Sequence, residues 1–180
     1  MSTTIGYLSP ASWWQRWIAD GMPASDNEVK FDKHANFNHC LIDSPNGPLQ
    51  LTIPVQKPVH KSQLLKDVRI SEHDGWRRKH WHALESTYFN SPFFQYYQDD
   101  FLRIYEGKQE FLVDFNLELH ELIVSLLSLR NVKLSCDANV SIRKYYQVFS
   151  DKHGFLPDLS IADLLFNMGP ESIITFNNKV

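Results

Sequence analysis

Two successive amphipathic runs in the middle of the chain, each closed by recognisable punctuation, constrain the fold most. Phe93, Phe94, Tyr97, Phe101, Leu102 and Tyr105 form one apolar stripe at helical spacing. Ser91 reads as the cap of that helix, Pro92 as its first position and Gly107 as its stop. The spacing predicts a helix over 92–106. A second follows over 109–129, where Phe111, Leu112, Phe115, Leu119, Leu122, Ile123 and Leu126 recur on one face. Asp74 reads as the cap of a preceding helix over about 74–89. Ser9-Pro10 opens another over about 10–20, carrying Trp13, Trp14 and Trp17 and stopping near Gly21 and Pro23. A last short helix, Ile161 to Met168, closes at Gly169-Pro170. Helices apolar on one side need a layer to cover them.

The N-terminal half supplies candidates for that layer. Val29, Phe31, Lys33, Ala35 and Phe37 alternate with Glu28, Lys30, Asp32, His34 and Asn36, a half-buried strand with one lysine out of place. His39 to Asp43, Ser44-Pro-Asn-Gly47 and Pro48 to Val55 read as a β-hairpin, with Pro54 at an edge or strand end because it cannot donate to a ladder. Ile5 to Leu8 and Val68 to Ile70 add short strands, and Val132 to Cys136 and Tyr145 to Phe149 are further apolar pieces. The 180 residues suit one domain. The expected fold is α/β, a single domain over 1–180 with a mixed sheet from the N-terminal half packed by several helices. The 5–8 and 28–37 strands would be joined in a right-handed parallel crossover. An α+β arrangement is the alternative.

Composition excludes several function classes. A formal net charge of −3 gives no global positive field for nucleic acid or anionic membrane. No apolar run approaches the roughly 18 residues of a spanning helix, so no membrane insertion is expected. The opening residues lack the basic and apolar regions of a signal peptide. Two cysteines, Cys40 and Cys136, make no disulfide framework, and a cytoplasmic setting is expected. Eight histidines do not fall at metal-ligand spacing: His80 and His82 are two apart, and His120-Glu121 is not followed by a second zinc-helix histidine. No glycine-rich phosphate loop is present. Neither a metal nor a cofactor is expected.

Four groups of residues carry candidate chemistry. Ser160-Ile-Ala-Asp163 fits a capping box, which accounts for both polar types; a helix start also presents a positive dipole end to an anion. Asp32 and His34 share one face of the 28–37 pattern, and a carboxylate beside a histidine suits a general base as well as a solvated strand face. Trp76-Arg-Arg-Lys-His-Trp-His82 splits at helical spacing into an aromatic face and a cationic one. Arg77, Arg78 and Lys79 could hold a phosphate or carboxylate, while the lack of an RNA-binding signature counts against nucleic acid. Cys40, flanked by Leu41 and Ile42, reads as a small buried apolar residue.

Several segments in order resemble the WbqC-like protein family. They are Tyr7-Leu-Ser-Pro10, Phe31-Asp-Lys-His34, Gly47-Pro-Leu-Gln-Leu-Thr-Ile-Pro-Val55, Trp76-Arg-Arg-Lys-His-Trp81, Tyr88-Phe-Asn-Ser-Pro92, Tyr146-Gln147 and Leu159-Ser-Ile-Ala-Asp-Leu-Leu-Phe-Asn-Met-Gly169. The chain departs from the family pattern near Tyr7, at Asn38-His39 and at Lys133-Leu-Ser-Cys136. The resemblance implies a bacterial acyl or aminoacyl (glycine-type) transferase acting on an amino sugar in O-antigen or related polysaccharide synthesis. The alternative is a non-catalytic sugar- or anion-binding accessory protein. Acyl transfer to an amine needs a base and a stabiliser for the oxyanion. His34 or His80 would be the base and Asp32 its orienter. Arg77 and Lys79 would be anion clamps. Ser160, Asp163 and Asn167 would shape a polar pocket, and Tyr7, Tyr146 and Gln147 would contact substrate. The expected partner is a small molecule, such as a nucleotide-linked amino sugar, and a homo-oligomer stays open.

Overall fold

The computed structural model describes residues 4–57, 62–129 and 142–176. Lys133-Leu-Ser-Cys136 and the apolar piece Val132 to Cys136 lie outside the described residues. In chain order the elements are α1 (Ala11–Ala19), β1 (His39–Ser44), β2 (Gly47–Thr52), α2 (Trp76–Tyr88), α3 (Phe94–Tyr105), α4 (Leu112–Leu126), α5 (Ser150–His153), α6 (Ile161–Met168) and α7 (Ser172–Thr175), with short 3-10 turns between some of them. Helices dominate an α/β or α+β arrangement built on one hydrophobic core.

The sheet among the described residues is the hairpin alone: β1 and β2 pair antiparallel, His39 opposite Thr52 and Ser44 opposite Gly47. Among the described residues the wider mixed sheet and its parallel crossover do not form. Residues 29–31, 54–56, 68–70 and 110–112 exchange backbone hydrogen bonds only at isolated bridges, Lys30 with Leu64, Val55 with Ile70 and Arg69 with Phe111. The alternation over 28–37 is nonetheless real as burial. Val29, Phe31, Ala35 and Phe37 face the core, and Lys33 and the even-numbered residues are exposed. What stops a strand is Asp32. Its carboxylate accepts the His34 N–H at 2.9 Å and its carbonyl accepts from Ala35 at 3.1 Å, which turns the chain back.

Helix α6 is the hub. Seven of its eight residues are buried, and it touches α1, α2, α3 and β1. A helix with no solvent face can only be an interior element. Around it, Trp14 stacks on His120 at 4.4 Å, and Phe94 and Phe101 pack on Phe166. Gly169, at φ +55°, admits the Phe93 ring where a Cβ would lie 2.4 Å from it. Two expected caps work differently. Asp74 and Gly75 both take left-handed backbone before α2, and the helix has no side-chain cap, Gly75 standing at the cap position. The Ser91 hydroxyl donates back to Tyr88 O at 2.7 Å and so closes the end of α2 rather than opening α3.

Gly6 shows how tightly the N-terminal segment is seated. A Cβ there would lie 2.1 Å from the Asn36 carbonyl oxygen, a backbone atom that cannot swing away. Gly6→Ala is expected to destabilise the protein by about 2–3 kcal/mol, a fall in Tm of about 5–10 °C. Gly107→Ala, whose Cβ meets only the flexible Gln109 side chain, should cost clearly less; thermal unfolding of both variants checks this.

Candidate functional site

The first turn of α6 sits against the start of α1. Pro10 and Ser160 form an antiparallel bridge, Ala11 N–H donates to Leu159 O at 3.0 Å, and Ile161 N–H donates to Ser9 O at 3.0 Å. Asp158 supplies the cap that α1 lacks locally: its carboxylate accepts from Ser12 N–H and Ser12 Oγ, both at 2.8 Å. Two helix N-termini, each with a partial positive charge, therefore meet side by side.

A cleft of about 240 Å³ opens where they meet, lined by Leu8, Pro10, Asn36, His39, Cys40, Leu41, Gln50, Asp158 and Ser160. Three observations mark it. Ser160, 2 % exposed, has a hydroxyl with no hydrogen-bond partner among the described residues. An orphan of that kind costs about 1–3 kcal/mol. Leu8 holds φ +42°, a backbone strain of about 1–3 kcal/mol for a bulky residue, and Asp158 holds φ +58°. His39 is half-buried at the cleft wall; burial, and then the nearby His34, push its pKa below the ordinary histidine value. Strain and unpaired polar groups cluster where function needs them. Apolar walls with converging polar groups are the lining chemistry of small-molecule sites.

The Ser160–Asp163 capping box does not form. Ser160 makes no side-chain cap, and its N–H donates to Leu41 O at 2.9 Å instead of to Asp163. Asp163, 1 % exposed, is the centre of a buried network. Its carboxylate accepts from Tyr145 Oη at 2.5 Å, Tyr88 Oη at 3.0 Å, Gln147 Nε2 at 3.2 Å and Asn167 Nδ2 at 3.3 Å. Desolvation raises its pKa to about 6 despite those donors. Gln147 also grips Leu156, donating to its carbonyl and accepting its N–H, both at 2.9 Å. Asp43 and His153 are paired at 3.0 Å nearby in the fold.

His80 turns into the core. Its Nδ1 lies 3.0 Å from Tyr7 Oη, and the Thr52 backbone also bears on the ring. Tyr7 Oη lies 2.6 Å from Tyr105 Oη. Burial lowers the His80 pKa to about 4, so the ring is neutral at physiological pH. Arg77 is largely committed within the protein: it donates to Glu72 at 2.8 and 3.0 Å and to Gln109 at 2.9 and 3.0 Å, with Trp76 and Phe115 beneath its guanidinium. It lines a wider cleft of about 680 Å³, but the charges there neutralise one another, as Arg69–Glu110 and Arg77–Glu72. Lys79, Asp32 and His34 are exposed, and Tyr146 is 55 % exposed.

The residues expected from sequence thus fall into separate groups. Asp163, Asn167 and Gln147 come together, joined by Tyr88 and Tyr145. Tyr7 and His80 come together with Tyr105. Ser160 stands in the cleft, with His34 close enough to bear on His39. Arg77, Lys79 and Tyr146 lie apart. His39 was missed by pattern: as the first residue of β1 it looks like any strand residue, and only the position of the hairpin against α6 gives it a cleft. Among the described residues, no group of three or more metal-ligating side chains stands together.

Fold and cleft define a mainly helical α/β or α+β protein with a cleft between two helix starts and a hairpin. The chain belongs to the WbqC-like protein family, whose model matches residues 24–144. Comparisons with curated proteins and with solved structures return no match.

The buried histidines set an acid response. His80 and His120 each have a folded pKa near 4, lowered first by burial, against about 6.5 unfolded. A lowered histidine pKa means that the unfolded chain takes the proton first, so stability is present above pH 6.5 and lost as pH falls toward 4. Each contributes about 3 kcal/mol across that window. Asp163, raised to about 6, acts in the opposite direction, losing stability as pH rises through 6. Two groups against one leave a net loss in acid. Stability should fall from pH 6.5 to 4, and His120→Phe, which keeps a ring between Trp14 and Trp17, should flatten the curve of Tm against pH.

Proposed function

We propose that this protein transfers an acyl or aminoacyl group to the amine of an amino sugar in bacterial surface-polysaccharide synthesis, and that the cleft between α1, α6 and the hairpin is where it does so. The observation that carries the reading is the pairing of a neutral, half-buried imidazole, His39, with an unpartnered buried hydroxyl, Ser160, in one cleft. Membership of the WbqC-like family supports the substrate class.

The chemistry follows from the two groups. An acyl thioester or activated ester serves as donor. His39 takes a proton from the acceptor ammonium, freeing the nitrogen lone pair. The nitrogen attacks the carbonyl carbon and the C–N bond forms. The Ser160 hydroxyl and the positive end of α6 face the oxyanion that results. Collapse breaks the C–S or C–O bond, the leaving group departs with a proton from the imidazolium, and the regenerated imidazole passes the second proton of the acylated nitrogen to solvent. Acceptor specificity would come from the cleft wall, Asn36 and Gln50 included. A nucleotide-linked amino sugar is the expected small-molecule partner, and the cytoplasm the expected setting.

The test is transfer from an acyl thioester to amino-sugar nucleotides, read by mass spectrometry. His39→Ala should lower kcat about 10²–10³-fold while Tm stays nearly fixed. Activity of the intact protein should persist below pH 6.5, because the base that must be neutral has a lowered pKa. His80→Ala should instead lower Tm, since it removes a buried ring and one of the two partners of Tyr7 Oη. Sugar binding with no product from any donor would make the chain a binding accessory rather than an enzyme.

A further inference from the structure

A second concavity of about 180 Å³ adjoins the cleft, and Pro10 and Asn36 line both. Its other walls are mostly apolar, Trp13, Ala35 and Phe37, with hydroxyls at Thr4 and Ser9. Small-molecule sites usually enclose about 300–1,000 Å³, and each concavity alone falls short of that. Joined across Pro10 and Asn36 they fall within it.

Three tryptophans lie on α1, and two are buried. Trp14 is buried against His120, and the Trp17 indole N–H donates to Pro23 O at 2.9 Å. Trp13 differs. One face rests on Trp17 at 5.8 Å, the ring is only half-buried, and its uncovered part borders the second concavity. Asn36, on the shared wall, has an exposed amide side chain that bonds no protein group among the described residues. An aromatic surface beside an exposed amide suits a ligand with one apolar face and a hydroxyl edge, which is what a pyranose presents.

We infer that the two concavities form one bipartite site in which Trp13 is the platform for the acceptor pyranose and Asn36 guides its amine across to His39 and Ser160. The inference rests on the transferase reading above and names the seat of the acceptor in that same site. Trp13 is then a binding residue and takes no part in bond making.

The experiment titrates methyl glycosides of 2-amino and 4-amino hexoses into the full chain and follows binding by calorimetry. Ethanolamine, an amine without a ring, is the comparison. For Trp13→Ala, affinity for at least one glycoside should fall about tenfold, KM should rise similarly and kcat should change little. Trp13→Phe, which keeps an aromatic face and guards against a folding defect, should recover part of the loss, and ethanolamine should not distinguish the variants. Equal glycoside affinity in native and Trp13→Ala protein, with transfer still lost in His39→Ala, would overturn the platform and leave the transferase reading standing. No glycoside binding and no transfer by the native protein would overturn both.

Discussion

One buried carboxylate organises the C-terminal third of the molecule. Helix α6 has no solvent face, so a charged residue on it must be served from within. Asp163 recruits Tyr88 from α2, Tyr145 and Gln147 from the segment before α5, and Asn167 one turn along its own helix. Three of the four donors fix α6 relative to two other pieces of chain, and the fourth comes from α6 itself. They also fix the N-terminus of α6, three residues away, against Pro10 and the hairpin. The cleft is therefore a consequence of the network, although Asp163 itself lines no part of it. Desolvation still outweighs the donors, which is why the carboxyl keeps a raised pKa.

A second polar chain crosses the core without bearing a charge. His80 meets Tyr7, and Tyr7 meets Tyr105, with the Thr52 backbone beside the histidine. Its role is satisfied hydrogen bonding between α2, α3, the N-terminal segment and β2. Such a chain looks catalytic in a sequence, because it combines a histidine with tyrosines. In the fold it lacks a cleft, and a base needs access to its proton. The cationic cluster around Arg77 resolves in a similar way: Arg77 serves Glu72 and the Gln109 backbone and side chain, while Arg78 and Lys79 stay in water.

Legibility in the sequence followed the range of the interaction. Signals set within a few residues were readable. The hairpin at Ser44–Gly47, the core stripe of α3, the stop at Gly107 and the end of α6 at Gly169-Pro170 all appear where local propensity puts them. Alternation over 28–37 reported burial correctly but not backbone, because burial has period two in any extended chain and Asp32 turns this one. Ser160 and Asp163 have the spacing of a capping box. Tyrosines 75 and 18 residues from Asp163 outcompete the local partner, and no short pattern encodes that. The same limit hid His39 and Trp13. Each acquires meaning only when α1, α6 and β1 meet.

The matched family region, residues 24–144, contains Asn36, His39, Leu41 and Gln50 of the cleft. Leu8, Pro10, Asp158 and Ser160 lie outside it. One wall is thus hairpin and turn, and the other is made of two helix starts that hold each other through the Pro10–Ser160 bridge and the Asp158–Ser12 cap. That mutual hold gives a physical account of the strain at Leu8. For Ser9 O to accept the first N–H of α6 while Pro10 enters α1, the chain must turn sharply just before Ser9, and Leu8 takes the left-handed backbone that does so. The strain is the cost of aligning two helix dipoles on one cleft, and it is tolerated because Leu8, 2 % exposed, is packed in the core.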